Sequence, residues 1–117
     1  MSEVSQKTRA QMAEAFGAAL KYLSPVNDPI PAGQYSNICG CLGKAWGASE
    51  CTAVGMSHAK EVVMERLNGS VYFTAWMLQD GRISRSQILR DGEKKQGRMM
   101  QAARKAWLES LVQEFTA

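Results

Sequence analysis

The chain has 117 residues, 45% of them hydrophobic and 21% charged, with ten glycines, three prolines and a net charge of +3. A chain of this length and composition is expected to form one domain with its own core, neither disordered nor dependent on disulfides. No stretch reaches the run of about eighteen apolar residues that a membrane span requires, and the polar start "MSEVSQKTRAQMAEAF" carries no export signal. The expected location is cytoplasmic, with no membrane partner and the three cysteines as free thiols.

In chain order, Met12, Phe16, Ala19 and Leu23 fall within roughly 60° of one another on a helical wheel, which predicts an amphipathic first helix. Ser2 or Ser5 suits its cap, and Pro25 ends it because the residue before a proline is pushed out of the helical region. Three prolines and an Asn-Asp pair make 25–32 the longest expected loop. "SNICGCLGKAWG", residues 36–47, reads as a short buried helix capped by Ser36, with Ile38, Leu42, Ala45 and Trp46 facing inward. Gly40, Gly43 and Gly47 each cost a helix roughly 1 kcal/mol relative to alanine. Their presence is expected where another backbone approaches closely. After a loop at 47–56, Ser57 is expected to cap a helix starting at His58, with Ala59, Val62, Val63 and Leu67 inward and Asn68-Gly69 closing it.

"SVYFTAWMLQDGRIS" admits two readings: a buried helix between Ser70 and Gly81, or a β-hairpin turning at Asp80-Gly81. The helix is preferred, since a lone hairpin is marginal in water. A short helical turn at 84–90 then leads into a last helix at 92–115, with Met100, Trp107 and Leu111 on one face and Ala103 and Phe115 at its margins. The expected fold is all-α, a single domain over 1–117 built as a compact bundle of five to six helices, with a short hairpin at 70–84 as the alternative. Segments 36–47 and 71–80 are expected at its centre, with the first and last helices around them.

The modest net charge hides an asymmetry. Between positions 82 and 105, eight basic residues (Arg82, Arg85, Arg90, Lys94, Lys95, Arg98, Arg104, Lys105) face two acids, Asp91 and Glu93, a net of +6 that leaves the remainder at −3. Lys94, Arg98 and Lys105 fall within about 40° of each other on a helix and more than about 100° from the Met-Trp-Leu face. Such a face can neutralise phosphates, or simply solvate the outside of a terminal helix. The candidate partner- or polyanion-binding residues are therefore Arg82, Arg85, Arg90, Lys94, Lys95, Arg98 and Lys105. Tyr35, in the proline loop, and Met99, off the apolar face, are candidate interface contacts of types enriched where proteins meet.

"AWMLQDGRISRSQILR", residues 75–90, resembles a helix-turn-helix in outline, with a second helix offering Arg85, Gln87 and Arg90 to a major groove. That pattern sets a small residue four before the turn glycine and an aliphatic one six after it; here Met77 and Gln87 stand there. Cys39, Cys41, Cys51 and His58 supply four soft ligands within twenty residues, but "CGC" on a helix turns its thiols about 160° apart rather than onto one metal. A Cys51–His58 nucleophile–base pair is the one catalytic arrangement the residue types allow, and no phosphate loop, serine elbow or carboxylate cluster accompanies it. The expectation is a non-enzymatic cytoplasmic protein, without cofactor or metal, that modulates or inhibits a partner protein or nucleoprotein complex in the manner of phage or plasmid accessory proteins. The alternative is a nucleic-acid binder using Arg82–Lys105.

Overall fold

In the computed structural model, residues 5–26, 29–67 and 84–117 are described, with 85, 87–97 and 99 placed as helical backbone. They form four helices: α1 (Gln6–Leu20), α2 (Ile38–Gly47), α3 (Ala53–Arg66) and α4 (Arg85–Thr116). The chain is mainly helical, as its periodicities predict. The helix-or-hairpin question at 70–84 falls almost wholly outside the described residues.

Helix α1 starts where Ser5, in extended conformation, accepts a hydrogen bond from the Thr8 amide at 3.2 Å. Met12, Ala15, Phe16 and Ala19 form its buried stripe at helical spacing. It stops at Leu20, five residues short of Pro25. The reason is long-range: the Tyr35 amide donates to the Tyr22 carbonyl at 2.8 Å and the Ser24 amide donates to the Tyr35 carbonyl at 2.9 Å. Residues 22–24 are thereby held extended against Tyr35 in an isolated parallel bridge between Leu23 and Tyr35. Within the connecting loop the Gln34 amide donates to the Pro31 carbonyl at 3.1 Å, and Gly33 at φ +80° supplies the left-handed position of that turn.

Helix α2 is capped by Asn37 rather than Ser36: the Asn37 Oδ1 accepts from the Gly40 amide at 2.5 Å. Ile38, Cys41, Leu42 and Ala45 are buried, while Trp46, expected inward, is 49% exposed. Among the described residues no other backbone comes close to the glycines of α2: a Cβ on Gly43 or Gly47 would meet nothing within 4 Å, and one on Gly40 would meet side chains of Asn37 and Tyr35. The helix ends in a complete Schellman motif. Ser49 takes the left-handed position at φ 59°, its amide donates to the Trp46 carbonyl, and the Glu50 amide reaches back to the Ala45 carbonyl, both at 2.9 Å.

Helix α3 begins earlier than the sequence suggests. Thr52, not Ser57, is its cap, with Oγ1 accepting from the Gly55 amide at 2.9 Å. His58 is therefore in the second turn rather than at the helix start. Gly55, Ala59 and Val63 line up at four-residue spacing as the buried face, and Leu67 just beyond it is also buried.

Helix α4 is one unbroken helix of 32 residues, where a short turn and a separate helix were expected. Asp91-Gly92 does not interrupt it, because a single glycine costs only about 1 kcal/mol against the bonds on either side. Met100, Trp107, Leu108, Leu111 and Phe115 enter the core, where the Phe115 and Phe16 rings lie 5.8 Å apart. Each such side chain contributes roughly 1.5–3 kcal/mol by leaving water. Among the described elements α1, not α2, is the hub: it packs against α2, α3 and α4. No helix among the described residues is long and apolar enough to cross a membrane.

Candidate functional site

The unbroken α4 sorts the basic residues. Arg85, Arg90, Lys94 and Lys95, with Met99, lie on its backbone in one helical register, and Arg82 lies outside the described residues. Arg98 and Lys105 are exposed. Arg104 departs from them: burial lowers its guanidinium pKa, and it donates to the Gln101 Oε1. It lines an apolar cleft of about 340 Å³ with Ile38, Cys39, Val63, Met64 and Leu67. Arg104 is thus a packing residue on a different side of α4 from the exposed pair.

Arg98 and Lys105 share a second cleft, of about 430 Å³, with Lys21 at the end of α1 and the loop residues Ser24, Pro25 and Gln34. Gln101 anchors this loop to α4. It is buried, and its Nε2 donates to the Ser24 carbonyl at 2.7 Å. Ser24 is itself held, its hydroxyl donating to the Val26 carbonyl at 2.6 Å. Lys21, which the sequence reading did not single out, reaches Glu50 at 3.4 Å on the other side. Nothing local in the sequence places Lys21 beside residues 98 and 105.

Of the two expected interface residues, Tyr35 is 38% exposed, while its backbone is tied to Tyr22 and Ser24 and its carbonyl accepts from the Cys41 thiol at 3.7 Å. Larger apolar exposures lie elsewhere. Trp46 and Val54 are each 49% exposed, and Ile30 is 41% exposed. Trp46 and Val54 flank the five-residue link between α2 and α3, whose two ends are tied by the hydrogen bonds of the Schellman motif and the Thr52 cap. The signal for Trp46 was available. If Cys41 is counted as a small hydrophobe, the buried stripe of α2 becomes Ile38, Cys41, Leu42 and Ala45, and Trp46 falls to its margin.

Residues 85–90, the second half of the helix-turn-helix reading, form the start of the 32-residue α4, while its first helix and glycine turn lie outside the described residues.

The chain matches no protein-family model, no curated protein and no solved structure.

Burial pushes the Cys51 thiol up, and Glu14 and Glu50 push it further, so the nearby charges oppose a thiolate. His58 lies 3.9 Å from Glu61 through its Nδ1. Burial also raises Cys39, against the opposing pull of Lys60, and carries Cys41 to about 12. Among the described residues no three histidine, cysteine or acidic side chains stand together as a metal site.

Proposed function

We propose that the chain is a non-enzymatic binding protein that modulates or inhibits a partner protein or nucleoprotein complex, and that it meets this partner through the corner bearing Trp46 and Val54. The observation that carries this reading is the exposure of Trp46, 49% of a large aromatic surface left in water near the end of α2, beside the buried stripe of Ile38, Cys41, Leu42 and Ala45. Tryptophan is among the residue types that dominate interface energetics, with losses of about 2 kcal/mol or more on truncation at a hot spot. Its setting favours binding as well. The α2–α3 link is held by backbone hydrogen bonds and a side-chain cap, so little conformational freedom is lost on association.

The Cys51 thiol, raised by burial and then by Glu14 and Glu50, is a poor nucleophile for a pair with His58, and a chain of 117 residues suits an accessory protein of a phage or plasmid acting in the cytoplasm. The test is capture from an extract of the producing cells with wild-type protein and with the Trp46→Ala/Val54→Ser double variant, each checked by thermal melting. A protein retained by the wild type and lost by the folded double variant supports the reading. Equal retention by both removes this corner from the binding surface.

A further inference from the structure

The cleft of about 430 Å³ between the loop after α1 and the face of α4 combines charge, an apolar wall and a buried polar atom. Arg98 and Lys105 stand seven residues apart on α4, nearly in line and about 10 Å apart along the axis. Lys21 approaches from α1, so two distant segments converge three cations on one opening. None of the lining residues, among those described, is a carboxylate. The Lys21–Glu50 contact at 3.4 Å joins side chains that are 66% and 31% exposed, a pairing weak enough to yield to an incoming anion. Leu20, Leu23 and Pro25 give one apolar wall. Gln34 also lines the cleft, and its Oε1 is buried with no hydrogen-bond partner among the described residues. Buried acceptors are normally satisfied, and a donor on a ligand seated beside Gln34 is a suitable partner.

We propose that this cleft binds a nucleoside phosphate, either free or as one unit of a nucleic-acid strand. Arg98 and Lys105 hold the phosphate, Lys21 completes its charge neutralisation, the Leu20–Leu23–Pro25 wall takes the sugar and base, and Gln34 accepts a hydrogen bond from a ligand N–H or O–H. The volume lies within the range of small-ligand sites. The residues differ from those of the Trp46 corner, so the two proposals stand or fall separately.

Two probes test it on the full chain: methylanthraniloyl-labelled ADP, and a fluorescein-labelled single strand of about twelve thymidines. Saturable binding at low salt that weakens as salt rises is expected, with a loss of about tenfold or more in Arg98→Glu/Lys105→Glu. Lys44→Glu/Lys60→Glu makes the same change in net charge at exposed lysines that do not line the cleft and should bind as wild type. Lys21→Ala gives an independent reading if the first double variant melts early. Binding of the ADP probe, displaced by unlabelled ADP, identifies a free nucleotide as the source of the phosphate; binding of the strand alone identifies nucleic acid. If neither probe binds, if both double variants lose binding equally, or if Arg98→Glu/Lys105→Glu binds as wild type, the proposal is overturned.

Discussion

Gly55 of α3 rests on the backbone of Gln11 in α1: a Cβ at position 55 would lie 2.8 Å from the Gln11 carbonyl carbon and closer still to its oxygen. Two helices approach this closely only where one has no side chain. Ala15, Ala19 and Ala59, all fully buried, continue the small-residue theme that lets α1 act as the hub.

Gly55→Ala is therefore expected to destabilise the fold by about 2 kcal/mol or more, since the alanine must push two backbones apart. Gly17→Ala, in the middle of α1 with none of the described residues within 4 Å of its Cβ, should do the opposite and stabilise by roughly 0.5–1 kcal/mol. Urea unfolding midpoints of the two variants, displaced in opposite directions from wild type, check the pair. Two shifts in the same direction would contradict the close approach.

Trp46 and Trp107 separate surface from core. Trp107 is 6% exposed and Trp46 is 49% exposed. Trp107→Ala should cost about 3–5 kcal/mol through lost burial and a residual cavity. Trp46→Ala should cost less than about 1 kcal/mol. Thermal melts of the single variants read the difference, and a Trp46 variant that melts nearly as the wild type is also what the capture experiment requires.

Arg66 donates to both carboxylate oxygens of Glu114, at 2.7 and 2.5 Å, and this holds the Glu114 pKa below the usual carboxylate range, with further help from the charges of Arg66 and Arg9. Because the folded value is depressed, the stabilisation is present above the ordinary value of 4.5 and is lost as pH falls through the folded value. The pair is 39% and 44% exposed, so Glu114→Gln should cost no more than about 1 kcal/mol at pH 7. The gap between variant and wild type should narrow steadily below pH 4.5 in urea titrations. A gap that does not change with pH would show that the carboxylate charge contributes nothing.

Cys41 behaves in the opposite sense. Burial raises its thiol to about 12, opposed by the charge of Arg104, and Glu50 raises the Tyr22 hydroxyl in the same direction. A raised folded value means stability that is present below the ordinary thiol value of 9.0 and is lost as pH climbs toward 12. Stability should fall across that alkaline window, and the fall should be shallower in Cys41→Ala. At pH 8, mass-spectrometric alkylation of the folded protein should modify the half-buried Cys39 before the fully buried Cys41, with the difference erased in denaturant.

Much of the fold was legible in period alone. The stripe of Met12, Phe16 and Ala19, the inward face of Ala59, Val63 and Leu67, and the Met100–Trp107–Leu111 face all enter the core as their spacing predicts. Hydrophobic spacing encodes which side of a helix turns inward, because burial of that side is the main favourable contribution to folding. Helix ends were less legible. Thr52-Ala53-Val54-Gly55 reads as loop because glycine is costly in a helix, yet Gly55 is retained there for its contact with Gln11.

The amino-acid sequence by itself determined the helical class, the inward faces of α1, α3 and α4 and the concentration of positive charge between positions 82 and 105, since each depends on residue type and local spacing. Only the tertiary structure decided where α1 stops, that Arg104 packs while Arg98 and Lys105 face outward, and that Lys21 joins that pair across a cleft. Those features rest on contacts between segments well separated in the chain, Tyr22 with Tyr35 and Ser24 with Gln101 among them, and no local pattern carries a partner that distant.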